Sequence, residues 1–271
     1  MAKSEASAFP STVPLLLGMV HLPPLPGAPG WSAQGGVRAW LERAVRDAVA
    51  IGEAGFDGVI VENYGDAPFF SGRVPPETVA ALAVAARAVR DALPRRLEVG
   101  VNVLRNDGLA ALAIAAACGL GLVRVNVLTG AALTDQGIVE GEAARILRER
   151  ARLAPQAAIL ADLRVKHAAP LAERPLDEEA RDLWDRGGAD ALILTGPRTG
   201  EPVDLSMIES VRRAVPDAKL LIGSGATSRT IGRLLRLSDG VIVGTALKRG
   251  GRTSAPVDPK RAARFVDAAR G

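Results

Sequence analysis

The stretch AKLLIGSGATSRTIGRLLRLSDGVIVGTALK, residues 218–248, decides the fold. It reads as two short apolar strands, over 220–223 and 240–244, with a helix between them. Each strand runs straight into small residues, Gly223-Ser224-Gly225 after the first and Gly244-Thr245 after the second. In a (β/α)8 barrel the loops after the last two strands commonly form a phosphate pocket, together with the N-terminus of a short extra helix. Glycine lets the backbone approach an anion closely, and the first free N–H groups of the helix point at it. A lone Gly-Ser-Gly also fits a plain turn. Two glycine-rich strand ends, one strand–helix unit apart, point instead to a phosphate-type site at Gly223, Ser224, Gly225, Gly244 and Thr245.

The same rhythm runs upstream. Further strands are expected over 13–21, 58–62, 98–104, 122–127, 158–165 and 191–195, each continuous and apolar. Helical spacing is expected over 37–54, 77–93, 142–153, 176–186, 205–215 and 259–269, and in a segment capped by Asn106 or Asp107. Continuous apolar strands alternating with helices imply a parallel sheet covered on both faces. Eight such units in 271 residues predict a single (β/α)8 TIM barrel over 13–271, preceded by a loose polar tail over 1–12. No GxGxxG follows the first strand, so a dinucleotide-binding sheet is not expected. A proline-rich loop, His21-Leu-Pro-Pro-Leu-Pro-Gly27, follows it and is expected to form one rim of a site. The loop over 63–76 carries Tyr64, Phe69 and Phe70 and reads as a lid, an interface or a small satellite core.

Composition narrows the function classes. Lys and Arg number 34 and Asp and Glu 30, for a net charge of +4, but the balance is uneven. Residues 229–271 hold ten basic and three acidic side chains. That basic quarter suits an anionic small molecule and leaves contact with an anionic membrane surface open. Aromatic residues are 3% of the chain, too few for a base-stacking platform, so nucleic acid is not an expected partner. No apolar run approaches the ~20 residues of a membrane span, and the leading segment lacks a signal-peptide core. Cys118 is the only cysteine, which excludes an internal disulfide and a cysteine-based zinc site. A cytoplasmic location is expected, and the hydrophobic helices allow a homo-oligomer.

In this fold chemistry sits at the C-terminal ends of the strands. There the sequence places His21, Glu62, Asn102, Arg105, Asp107, Asn126, Thr129, Asp162, Lys166, His167 and Thr195, with Asp135 in the loop after the fourth strand. Side-chain alternation turns Arg124 and Asn126 to one face, and Asp162, Arg164 and Lys166 to one face. The outer face of a barrel strand packs under helices, so these charged faces should point inward. An unpaired buried ion costs several kcal/mol, and a paired set often gains nothing over apolar packing. Stability is a poor reason for such a cluster, and function a better one. Lys166 suits a base or a Schiff-base amine. Asp162 or Glu62 suits a general acid/base or a metal ligand, with magnesium held by carboxylates left open. His21 and His167, the only histidines, suit acid/base or structural roles and cannot form a His-rich metal triad. Asn102 and Asn126 would orient the reacting group, and Arg105, Asp107, Arg124, Thr129, Asp135 and Thr195 would contact substrate.

Seven segments carry a family resemblance: LLGMVHLPPLPGAPG (16–30), GFDGVIVENYGDAPF (55–69), VGVNVLRNDGLAALAIA (99–115), VRVNVLTGAALTDQGIVEG (123–141), ADLRVKHAAPLA (161–172), GGADALILTGPRTG (187–200) and GSGAT…DGVIVGTALK (223–248). Together they resemble the BtpA family, which includes the SgcQ-type proteins. The resemblance implies a (β/α)8 barrel similar to ribulose-phosphate-binding barrels. One cyanobacterial branch of the family is tied to photosystem I biogenesis as a peripheral membrane factor, and no established reaction comes with the name. The expected function is an enzyme of isomerase, lyase, aldolase-like or hydrolase type acting on a small phosphorylated metabolite. The rival expectation is a non-catalytic assembly factor.

Overall fold

The computed structural model describes residues 9–11, 14–34, 36–196 and 203–271. Most of the expected tail, and the loop residues 197–200 after the sixth barrel strand, lie outside the described residues. Eight parallel strands close into a barrel: β1 (Leu15–His21), β2 (Gly58–Glu62), β3 (Glu98–Asn102), β4 (Leu122–Val125), β7 (Ala158–Asp162), β9 (Ala191–Leu194), β10 (Leu220–Ile222) and β11 (Gly240–Val243). β1 closes the ring against β11, with Leu15 beside Gly240 and Gly18 beside Val243. The strands are buried on both faces, which is why their sequences read as unbroken apolar runs.

The helices α1 (Gly36–Glu53), α2 (Pro76–Ala92), α3 (Gly108–Cys118), α4 (Ala143–Leu153), α5 (Leu176–Arg181), α6 (Leu205–Ala214), α7 (Ile231–Leu234) and α8 (Pro259–Arg270) follow the strands in turn. Their ends are set by local chemistry. Asp107, rather than Asn106, caps α3 by accepting the Ala110 N–H at 3.0 Å. Pro259 opens α8, and Asp258 accepts the N–H groups of Lys260 and Arg261. A short π-helical turn, Asp182–Arg186, continues α5. The helix expected between the last two strands shrinks to the single turn of α7.

Two apolar layers result. The outward-facing strand residues pack under the helices in one large core. The inward-facing ones, among them Leu15, Leu17, Met19, Ile60, Leu160, Ile193, Leu221 and Ile242, fill the barrel interior. Phe9, inside the stretch read as a tail, packs into this inner cluster and is 7% exposed. Cys118 is buried and donates to the Ala83 carbonyl, a packing role.

One element was not expected. The segment after β4 forms an antiparallel hairpin, β5 (Ala131–Thr134) with β6 (Gly137–Glu140), and β8 (Ala168–Pro170) pairs with β5 from the loop after β7. This small sheet joins the loops after the fourth and fifth barrel strands. The proline-rich loop also differs from expectation. Only its first residue, His21, lines the cavity described below, and residues 22–27 brace it instead. Gly65 N–H donates to the Leu22 carbonyl and Leu25 N–H to Asp66 at 2.8 Å, which ties the loop to the turn Tyr64–Asp66.

Candidate active site

Strand register builds the site's floor. His21 stands beside Glu62, Glu62 beside Asn102, and Asn102 beside Arg124. All four belong to the inward-facing set of their strands, one step above the apolar interior. The next pairing is staggered, with Arg124 beside Leu160, so Asp162 projects one step further up and reaches Asn126. All of these side chains are buried.

Arg124 binds Asp162 through two nitrogens, Nε at 3.1 Å and Nη2 at 2.9 Å. Asn126 Nδ2 donates to the same carboxylate at 2.7 Å. Asn102 Nδ2 donates to the Arg124 carbonyl and to Asn126 Oδ1, both at 3.1 Å. The other face of the Arg124 guanidinium approaches Glu62 at 3.9 Å, and Glu62 lies 3.7 Å from His21 Nε2. The guanidinium therefore sits between the two carboxylates. It stays firmly protonated because Asp162 and Glu62 outweigh its burial. Burial pushes the Glu62 carboxyl up, against the pull of Arg124 and Lys166. Burial, helped by the Lys248 charge, holds the His21 imidazole well below its ordinary value, so it is neutral at pH 7.

Above this floor lies a cavity of about 840 Å3, within the size range of small-molecule sites. His21, Glu62, Arg124 and Asn126 reach it from below, and Tyr64, Phe69 and Arg105 form part of its wall. The Tyr64 ring rests on His21 with centroids 4.8 Å apart. Lys166 enters from the loop after β7, and its Nζ donates to the Gly223 carbonyl at 2.9 Å. Burial, together with the nearby Arg124 charge, lowers the Lys166 ammonium to about 8.

The far end of the cavity is the glycine-rich pair of loops. Gly223, Ser224, Gly225, Gly244 and Thr245 all line it. Gly225 adopts φ +69°, a conformation that other residues rarely take. A Cβ on Gly244 would lie 2.7 Å from the His21 ring, so only glycine fits there. Ser224 Oγ accepts the Gly196 N–H at 2.7 Å, which locks the first loop to its neighbour. Arg229, Arg261 and Arg264 extend this end of the cavity. All three arginines belong to the basic C-terminal quarter, whose charge is the one sequence signal that points to them.

Several expected contacts lie elsewhere. Asp162 is not part of the cavity wall, and its carboxylate is engaged by Arg124 and Asn126. Asp107 caps α3 and also holds Arg73 at 2.7 Å and the Val74 N–H at 2.9 Å, away from the cavity. Thr129 packs against Gly141 and Gly187. Thr195 is not part of the cavity wall, and its Oγ1 donates to the Arg164 carbonyl at 2.8 Å. Asp135 sits in the exposed β5–β6 turn, where its charge still acts on Arg105. Arg164 turns outward to Glu179 at 2.8 Å, because β7 ends at Asp162 and the two-residue alternation stops with it. His167 lines the cavity mouth with φ +54°, in the left-handed region. Among the described residues no group of three or more His, Cys, Asp and Glu side chains is placed to hold a metal ion. Glu62 and Asp162 do not fit a magnesium ion held by both, since Arg124 stands between them. No described helix is long and apolar enough to cross a membrane.

Comparison with known proteins follows the same lines. The BtpA family matches residues 12–271. An uncharacterised protein of Pyrococcus horikoshii is 47% identical over 251 residues, covering 93% of this chain and 94% of that one. The protein named photosystem I biogenesis protein BtpA in Synechocystis is 44% identical over 253 residues, covering 93% of this chain and 87% of that one. Among solved structures, KGPDC from Streptococcus mutans aligns with a TM-score of 0.59 at 12% identity over 96% of this chain and 98% of that one. Phosphoribosyl anthranilate isomerase from Thermus thermophilus aligns with 0.57 at 13% identity over 94% and 97%. At such identities these two establish the barrel fold and nothing further.

Proposed function

We propose that this chain, which belongs to the BtpA family, is an enzyme acting on a small phosphorylated metabolite at the C-terminal mouth of its barrel. One observation carries the reading. A single cavity has backbone loops suited to an anion at one end and buried ionisable groups across its floor. The phosphate would lie against the N–H groups of Gly223–Gly225 and Gly244–Thr245. Lys166, lowered to about 8, is partly neutral near physiological pH and would take or deliver a proton at the adjoining carbon. Glu62, raised by burial, would serve as its acid/base partner, with neutral His21 beside it. Arg124 would carry the charge that develops on a substrate oxygen, held in place by Asp162 and Asn126. This set suits isomerase, lyase or aldolase-like proton transfer. It suits a hydrolase with a carboxylate-bound metal less well, because Arg124 occupies the space between Glu62 and Asp162.

The second reading is a non-catalytic assembly factor, favoured by the name of the Synechocystis relative. Such a factor would use outer surface, including a membrane-facing or self-associating patch, and would have no need of Glu62 or Lys166 inside the barrel.

The test is thermal shift with inorganic phosphate, sugar phosphates and nucleotides on wild type and Gly225→Asp. A ligand at 100 times its dissociation constant stabilises by about 2.7 kcal/mol. A shift with one phosphorylated class, lost in Gly225→Asp, upholds the anion pocket on which the enzyme reading rests and names the class to assay for turnover. A folded protein that responds to none of them moves the weight to the assembly role.

A further inference from the structure

Arg105 opens the loop after β3 and is 7% exposed, with its side chain forming part of the cavity wall. Its Nη2 donates to the backbone carbonyl of Lys166 at 2.5 Å. Its Nε is buried and has no hydrogen-bond partner among the described residues. The charges acting on it are Asp135, on the exposed hairpin turn, then Asp162 and Glu62. None of the three forms an ion pair with it among the described residues. Asp162 is taken by Arg124 at 2.9 Å, and Glu62 faces Arg124 and His21. Among the described residues Arg105 is thus a buried cation without a paired carboxylate, while its neighbour Arg124 has one.

That arrangement is costly. A guanidinium does not give up its proton in proteins, so burial cannot neutralise it. The Lys166 carbonyl and the charges of Asp135, Asp162 and Glu62 offset the cost of its burial only in part, since none of the three carboxylates pairs with it among the described residues. A bound anion would supply the rest. The spacing is also informative. Lys166 touches Arg105 with its backbone carbonyl and the phosphate-type loop with its Nζ. Arg105 and Gly223 are therefore bridged by one lysine residue. A ligand spanning them would pass along the Lys166 side chain.

We propose that Arg105 receives a second anionic group of the substrate, a carboxylate, so that the substrate class is a phosphorylated carboxylic acid. Its phosphate lies on the Gly223–Gly225 and Gly244–Thr245 loops, its carboxylate on Arg105, and its short carbon chain lies over Lys166 and Glu62. A carboxylate matches the planar N–H fork of a guanidinium better than a hydroxyl or carbonyl group does. The inference rests on the phosphorylated-metabolite reading and narrows it.

Isothermal titration of the full chain tests it with two matched pairs of probes: 3-phosphoglycerate against glycerol 3-phosphate, and phosphogluconate against sorbitol phosphate. The two lengths allow for reach. In wild type, at least one carboxylate-bearing probe binds roughly ten- to a hundredfold tighter than its partner, the range of a charge-assisted contact. Arg105→Gln erases that preference and leaves the carboxylate-free probes unchanged. Arg105→Lys keeps the charge without the fork and loses most of the preference, and it gives the same readout where the glutamine variant does not fold. Equal affinity within both pairs in wild type overturns the inference, as does an equal loss for both members in Arg105→Gln. Either result leaves the phosphate reading standing provided Gly225→Asp abolishes all binding. If no phosphorylated probe binds wild type, both fall.

Discussion

Arg124→Met, Asp162→Leu and the double variant together ask whether the centre of the floor acts as one unit. Arg124 gives two hydrogen bonds to Asp162, and Asn126 gives a third. Both partners are buried, at 7% and 4% exposure. Removing Asp162 leaves Arg124 with only Glu62, at 3.9 Å. Removing Arg124 leaves two buried carboxylates without their shared cation. Breaking such a pair from one side costs about 3–5 kcal/mol. Unfolding entropy is about 2.1 cal/mol/K per residue, or about 0.57 kcal/mol/K for this chain, so each single variant should lose about 5–9 °C in melting temperature. In the double variant both charges are gone and apolar side chains fill the space. What remains is the lost acceptor of Asn126, at about 1–3 kcal/mol, and a Glu62 carboxyl that has lost Arg124 but, already raised by burial, can take up a proton. The double variant should therefore melt no lower than the worse single, and about 2–5 °C below wild type. Calorimetry at neutral pH gives all four midpoints. A double variant that falls by the full sum of the singles would refute the claim that Asp162 acts through Arg124.

Three further outcomes follow from the same geometry. Lys166 should take up an acylating reagent with a midpoint near pH 8, while exposed lysines do so near 10, read by peptide mass spectrometry. Because its folded value is lowered, the unfolded chain binds more protons between about 8 and 10.5, so Lys166 adds stability as pH rises through that window. Glu62 runs the other way: its folded value is raised, so wild type loses stability as pH climbs above the ordinary value of 4.5. Glu62→Gln should remove that slope in denaturant titrations, and an unchanged slope would mean the carboxyl is not desolvated. Lys248 is fully buried on Asp47 at 3.1 Å, outside the cavity. Asp47→Ala should cost about 3–5 kcal/mol and leave the shift with phosphorylated ligands intact; loss of that shift in a folded variant would bring the pair into the site.

The barrel was legible because its strands are buried on both faces and so read as continuous apolar runs. The floor was legible wherever regular strand geometry persists. Alternation turned Glu62, Asn102, Arg124, Asn126 and Asp162 inward, as observed. It failed at Arg164, two residues past Asp162, because hydrogen bonding to the neighbouring strands had ended and the chain was free to turn toward Glu179. Lys166 still reaches the cavity, but from a loop and by way of the Gly223 carbonyl. The β5, β6 and β8 sheet left little trace, since its strands have three or four residues and are largely exposed. Asp107 and Thr129 show the opposite failure. Polar residues after a strand also cap helices and pack turns, and sequence position alone does not separate those duties from contact with a ligand.

The vertical order of the barrel explains why so much charge is tolerated at one level. Below the floor, Phe9, Leu15, Leu17, Ile60, Leu122, Leu160 and Ile242 fill the interior with apolar contact. That packing, with the helix-covered outer layer, carries the stability of the fold. The uppermost inward positions are therefore open to residues that stability would not choose. His21 is held neutral, Glu62 is raised, and Lys166 is lowered to about 8. Each of these groups is shifted toward its uncharged form, chiefly by burial. Arg124 and Arg105 cannot respond in that way. Arg124 is matched by Asp162. Arg105 has no matching carboxylate among the described residues, and the anionic group proposed for the substrate would supply that match.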